Sequence, residues 1–177
     1  MAILAKSEIL KAIEAGKIRI DPYDPDCVGP ASVDLHLSNA FRVFVRLPRN
    51  VRVFDEVDFR MATKGLWIED GDHLLMRPGD TVLGMTAERL TLAEDVCGWL
   101  EGRSRFARLG LLVHISASFM QPGIANHQVL EMSNFGPIPL EIRPGVAICQ
   151  FVFQRIAGQG RYAGVFQDQS PESFARD

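Results

Sequence analysis

A chain of 177 residues with 47% apolar side chains is long enough for one domain with its own core, and too apolar to stay disordered. Its 19 basic and 22 acidic side chains leave a formal net charge of -3, which gives no support to broad nucleic-acid binding and leaves room only for a local basic pocket. No run approaches the ~18 apolar residues of a membrane span. The opening MAILAKSEILKAIEAGK has neither the apolar stretch nor the cleavage pattern of a signal peptide, so the cytoplasm is the expected location.

Residues 7–15, SEILKAIEA, read as a short helix, with Ser7 as its cap, Ile9, Leu10 and Ile13 as its apolar stripe, and Gly16 at its end. The next ten residues, DPYDPDCVGP, hold three prolines and a glycine and predict an irregular loop. The period then changes to two. Val33, Leu35 and Leu37 alternate with polar residues; so do Phe41, Val43, Val45 and Leu47, and later Leu111, Val113, Ile115, Ala117 and Phe119. These patterns predict half-buried strands. Short runs HLLM, TVLGM, QVLEM, PLEIR and VAICQFVF predict more strands, and RFARL a single helical turn.

One internal echo stands out. LLMRPGDTVLG (74–84) and LEIRPGVAICQ (140–150) both place Arg-Pro-Gly between apolar runs, where proline and glycine suit a type II turn. Both read as hairpin-like corners. Strands so short and so many predict a closed or sandwiched all-β fold. From 158 to 177 the chain is polar and glycine-rich: either a frayed tail or a flap that orders over a ligand. Cys27, Cys97 and Cys149 lie far apart with no CxxC pair and read as reduced, mostly buried thiols.

Three arginines crowd GRSRFAR (102–108). The guanidinium forks of Arg103, Arg105 and Arg108 suit phosphate oxygens, although a solvated basic loop has the same composition, and the spacing of a Walker A loop is absent. Glu131 lies between Leu130 and Met132. A carboxyl group buried there favours its protonated form and suits proton transfer. Glu141 in PLEIRP has much the same setting, so periodicity does not choose between them; either is also readable as a strand glutamate facing solvent. His114, between Val113 and Ile115, reads as a structural histidine. The H-x-E and P-C-x-x-C motifs of zinc nucleobase deaminases are absent. Asp34, in SVDLHL, is placed to receive N–H groups from a loop.

The ordered set of these segments resembles the dCTP deaminase family, within the wider dUTPase-like fold. The resemblance covers nearly the whole chain: the initial helix, DPYDPDCVGPASVDLHL, then RPGDTVLGMTAERLTLAEDVCGWLEGRSRFARLGLLVH, the glutamate strand and RPGVAICQFVF. It implies a distorted β-barrel or jelly roll with a short N-terminal helix, in a homotrimer whose active sites are shared between neighbours. It implies hydrolysis of the 4-amino group of dCTP by a glutamate-activated water, without zinc, with Mg²⁺ accompanying the triphosphate; some members go on to dUMP. By the same resemblance Glu131 is the proton-transfer residue, Arg103 and Ser104 begin the phosphate-binding loop, and Arg108 lies near the catalytic water. Ala117, Val129 and Leu130 meet the base through their main chain. Gln150 matches a glutamine of many bifunctional members, and Tyr162 and Gln169 belong to the flap.

The chain also departs from the family pattern. Arg105 stands where a small residue is usual, and either adds a phosphate contact or fills the phosphate's space. Gln121 replaces the aspartate of I-D-P-G; it can hydrogen-bond the sugar but cannot act as a carboxylate base, which weighs against triphosphate hydrolysis. Asn126 replaces a glycine. Val165 supplies no ammonium and Asp168 adds negative charge, both of which weaken phosphate binding. Two alternatives therefore stand beside the deaminase: a dUTP-hydrolysing or bifunctional enzyme, and a non-catalytic trimer that binds a nucleotide or a protein.

Overall fold

A computed structural model of the protein describes residues 2–48, 50–114 and 116–177. Helix α1 (Lys6–Glu14) precedes strands β1 (Ile18–Asp21), β2 (Val33–Phe44), β3 (Thr63–Trp67), β4 (Leu74–Met76), β5 (Thr81–Leu92) and β6 (Val96–Gly102). A single turn of helix, α2 (Ser104–Ala107), leads to β7 (Leu111–Val113), β8 (Phe119–Met120), β9 (Ala125–Asn134), β10 (Leu140–Ile142) and β11 (Ala147–Arg155). Helix α3 (Pro171–Phe174) comes last. Among the described residues no helix is long and apolar enough to cross a membrane.

The main sheet runs β7-β9-β5-β2-β11-β6-β8, with β1 added to β5 and β3 to β2. It curls into a half-barrel because its two twelve-residue strands change partners along their length. The first residues of β2 pair with β11 and its later ones with β5 and β3. Register shifts between Leu37 and Phe41 and between Met85 and Arg89 supply the bends, as bulges do at barrel corners. The interior is filled by Ile9, Leu35, Leu37, Phe41, Leu90, Leu100, Leu130, Phe151 and Phe153, all at 1% exposure or less.

Gly16 ends α1 as expected. It takes φ 69° while its amide bonds to the Ile13 carbonyl and that of Lys17 to Ala12, a Schellman closure. The cap differs: the N-cap is Ala5 with no side-chain bond, and Ser7 lies within the first turn. The two Arg-Pro-Gly corners carry the expected positive φ at Gly79 and Gly145. They are not hairpins, because β4 and β10 leave the main sheet and pair with each other, Leu75 facing Glu141. The runs at 33–38 and 41–47 form one strand that stops at Phe44, leaving Val45 and Leu47 beyond it. The expected strand over 111–119 is broken: β7 stops at Val113, His114 adopts φ 56°, and β8 is a separate two-residue strand. Ile115, expected on that strand's apolar face, lies outside the described residues.

The period-two reading of β2 puts Arg42 outward, yet it is 1% exposed beside Phe41 at 0%. The chain's last residues cover that face. Arg42 Nε donates to Thr63 Oγ1 at 2.8 Å, and Nη1 donates to the carbonyls of Phe174 and Arg176 at 2.7 and 2.8 Å. Phe174, 2% exposed, packs on Phe59 and Val129. Gly65 lies so close to Ala175 that a Cβ there would meet its carbonyl at 2.1 Å. The Gly65 amide, donating to the Asp177 carboxylate, and next the Arg42 charge hold that carboxyl below its usual range. Its contribution to docking is thus present above the ordinary aspartate pKa and lost as pH falls through the lower folded value.

Removing the guanidinium strands several buried carbonyls. R42M should lose about 3 kcal/mol in urea unfolding, with faster amide exchange at Phe174 before the barrel opens.

Candidate active site

Strand β9 lies between β7 and β5, one place in from the edge of the main sheet, with alternate residues buried. Leu130 and Met132, at 0% exposure, point into the core; Val129 and Glu131 point the other way. Glu131 thus stands on the wall of an open cavity of about 390 Å³, a volume usual for small-molecule sites. Its walls are mostly apolar: Phe44, Phe59, Phe119 and Phe166, with Leu83, Met120 and Ile124. The polar lining is Gln121, Asn126, His127, Gln128, Tyr162 and Gln169, besides Glu131 and His114.

The turn after β7 fixes Glu131. The His114 amide donates to the Glu131 carbonyl at 2.8 Å, extending the β7–β9 ladder by one residue. The left-handed conformation of His114 then swings the chain back, so that Ser116 Oγ donates to Glu131 Oε2 at 2.8 Å. The other carboxylate oxygen, Oε1, has no hydrogen-bond partner among the described residues. The Glu131 side chain is 33% exposed, open to a ligand.

His114 Nε2 lies 2.9 Å from the Ala117 carbonyl. A carbonyl only accepts, so this nitrogen carries the hydrogen. The other ring nitrogen, Nδ1, is buried, lies 3.5 Å from Glu131 Oε2 and has no hydrogen-bond partner among the described residues. The separation is longer than a good hydrogen bond.

The structure separates the residues singled out from sequence. Glu131, Ala117, Gln121, Val129, Tyr162 and Gln169 line the one cavity; Leu130, buried in the core, is not among its lining residues. Ser104 lines a second cavity, of about 340 Å³, with Glu101, Leu112 and Ser118, and His114 is shared by both. Arg103 is engaged elsewhere: Nη2 lies 2.8 Å from Asp34 Oδ2 and Nη1 donates to the Ala147 carbonyl at 2.9 Å. Asp34 thus receives a guanidinium from the loop. Gln150 accepts from Ser32 Oγ at 2.8 Å nearby, while Arg105 and Arg108 are exposed. Glu141 is 59% exposed beside His73, so of the two glutamates that sequence leaves equivalent only Glu131 faces the cavity. Cys97 and Cys149 are buried and Cys27 half-buried, all as free thiols; burial, then Asp24, pushes Cys27 up to about 11, and burial raises Cys149 further.

Sequence reasoning noted Asn126 only as a replacement for a glycine and Phe119 only as a strand residue, and it gave no site role to Ser116, Gln128 or the other three phenylalanines. For Asn126 and Gln128 a signal existed, since Asn-His-Gln interrupts the alternation at the start of an otherwise regular strand. Ser116 gave none. Among the described residues no group of three or more His, Cys, Asp or Glu side chains is placed to hold a metal ion.

A curled β half-barrel with a carboxylate on the wall of an apolar cleft defines a protein with a small-molecule site. Comparison with known proteins narrows this: the family model described as dCTP deaminase-like matches residues 3–156. The chain belongs to the dCTP deaminase-like family. It is 35% identical over 181 residues to the "dCTP deaminase, dUMP-forming" of Clavibacter michiganensis, covering 98% of this chain and 90% of that protein. A protein of the same name from a Parafrankia species is 38% identical over 185 residues, covering 99% and 92%. Among solved structures, the 2'-deoxycytidine 5'-triphosphate deaminase of Agrobacterium tumefaciens shares the fold. Its TM-score is 0.67 at 23% identity, and the match covers 88% of this chain and 48% of that one.

The φ of 56° at His114 costs a β-branched side chain more than it costs glycine. H114V should unfold at lower urea than H114G by about 1–2 kcal/mol, although valine fills more of the space.

Proposed function

We propose that the chain hydrolyses the 4-amino group of dCTP, with Glu131 as proton carrier and without zinc. The observation that carries the reading is the Glu131 carboxylate, held through Oε2 by Ser116 while Oε1 faces an open, largely apolar cavity. The relatives' name supports dCTP as substrate. The base lies against β9, with the main chain of Val129 and Leu130 and the amide of Ala117 at its polar edge.

Water adds to C4 of cytosine, made more electrophilic as the ring nitrogen is protonated. Glu131 accepts the water's proton through Oε1 and passes protons to the ring nitrogen and to the departing amine. The C4–N bond breaks, ammonia leaves, and the ring carries a carbonyl: dCTP and water become dUTP and ammonia. The carboxylate is fixed in advance by groups that need not move, which is where such sites gain rate. Mg²⁺ enters with the substrate, on phosphate oxygens and water, which are the ligands it prefers.

Among the described residues, no lysine or arginine lines this cavity. The reading therefore includes a homotrimer, in which Arg103, Ser104, Arg105 and Arg108 serve the phosphate end of a neighbour's site. Leu109 and Phe135 are 48% and 84% exposed, and the Phe135 amide donates to the carbonyl of Gly110, the residue after Leu109; the two side chains suit a contact between copies. Gln150, tied to Ser32, supports that segment from behind, and residues 158–177 form the cover of the site.

A second reading, onward hydrolysis to dUMP, is favoured by the relatives' dUMP-forming name and opposed by Gln121, whose amide is no general base. Following ammonia and pyrophosphate separately from dCTP and dUTP divides the two. Ammonia alone supports the deaminase, both products from dCTP support the bifunctional enzyme, and neither from either nucleotide overturns both.

E131Q should lose at least ~10²-fold in turnover with its unfolding midpoint nearly unchanged. Near-normal ammonia release by that variant refutes the assignment.

A further inference from the structure

The chain beyond β11 is held at three places. At the near end, the Gly160 amide donates to the Glu94 carbonyl at 2.8 Å and the Tyr162 amide to the Pro122 carbonyl at 2.9 Å. In the middle, Asn126 Nδ2 donates to the Phe166 carbonyl at 2.6 Å. At the far end, Ser170 and Ser173 form a capping box on α3, which Arg42 fastens to the barrel. Between the anchors the segment has little packing of its own: Val165 is 90% exposed and Phe166 48%.

Asn126 is built for this contact. It is 6% exposed on β9, and its Oδ1 accepts from Gln128 Nε2 at 2.6 Å. Gln128, 4% exposed, also donates to the Asn126 carbonyl. An amide whose oxygen is so engaged must turn its NH₂ the other way, and there it meets Phe166. The Phe166 and Gln169 side chains line the same cavity as Glu131, which lies five residues further along the strand, roughly 15 Å at strand rise.

We propose that Asn126 is a positioning residue: it latches residues 160–169 as a strap across the end of the cavity remote from Glu131. Because α3 fastens the far end, the strap opens as a tethered loop and not as a free arm. The latch stands on this geometry alone, while its effect on dCTP rests on the function proposed above.

Asn126→Asp keeps the shape and removes the donor; Asn126→Ala removes both. In the ligand-free protein, the amides of 160–169, Tyr162 above all, should exchange roughly 5- to 10-fold faster in both variants, the size of one lost hydrogen bond. Exchange at 171–177 and in the barrel should hold. KM for dCTP should rise by a similar factor, roughly 5-fold or more, with a smaller fall in kcat. In R42M, by contrast, both 160–169 and 171–177 should loosen. Unchanged exchange at 160–169, or exchange that rises throughout the barrel, overturns the latch. Faster exchange with an unmoved KM overturns its positioning role. If the unaltered protein releases no ammonia from dCTP while the exchange pattern appears as expected, the latch stands and the substrate reading fails.

Discussion

The bond from the His114 amide to the Glu131 carbonyl sets the geometry of the site. It carries the ladder one residue past the end of β7, to a point where the backbone must reverse. His114 makes that reversal in the left-handed region, at a cost that the surrounding bonds offset. The same reversal brings Ser116 to the Glu131 carboxylate and seats the imidazole on the Ala117 carbonyl. One strained residue thus positions a carboxylate, a hydroxyl donor and a buried ring nitrogen together. It also lines both cavities.

The second constraint is the buried Arg42. A guanidinium at 1% exposure needs its donors satisfied, and the chain's own end satisfies them. That docking places Phe174 behind Phe59 and Val129, so the C-terminus backs the cavity wall as well as leading away from it. Residues 158–170 are left spanning two fixed points. Arg103 is likewise fixed by the barrel: Asp34 and the Ala147 carbonyl hold its guanidinium in one place.

Much of this architecture could be read from residue types. Gly16, Gly79 and Gly145 sit where positive φ is needed, and the chain turns there. The β9 alternation separates Glu131 from its apolar neighbours correctly. The failures share a cause, which is information held far away in the chain. Nothing near 114 announces a left-handed histidine, since the bonds that stabilise it come from β9. Arg42 looks like an outward strand residue until the tail, 132 residues later, covers it. Glu131 and Glu141 have the same local pattern and differ only because β10 leaves the main sheet to pair with β4. Family resemblance supplied what local pattern did not, the choice of Glu131, a residue that lines the cavity.

The central claim is that the carboxyl group at position 131 works directly on the amino-bearing carbon of a cytosine. A crystal structure of E131Q with dCTP and Mg²⁺ tests it most directly. The account predicts the ring against Val129 and Leu130, with C4 and its ordered water within hydrogen-bonding reach of the position-131 side chain. It also predicts the triphosphate directed toward a neighbouring copy's 103–108 segment. A ring whose C4 points away from position 131, or a nucleotide seated wholly in the other cavity, contradicts it.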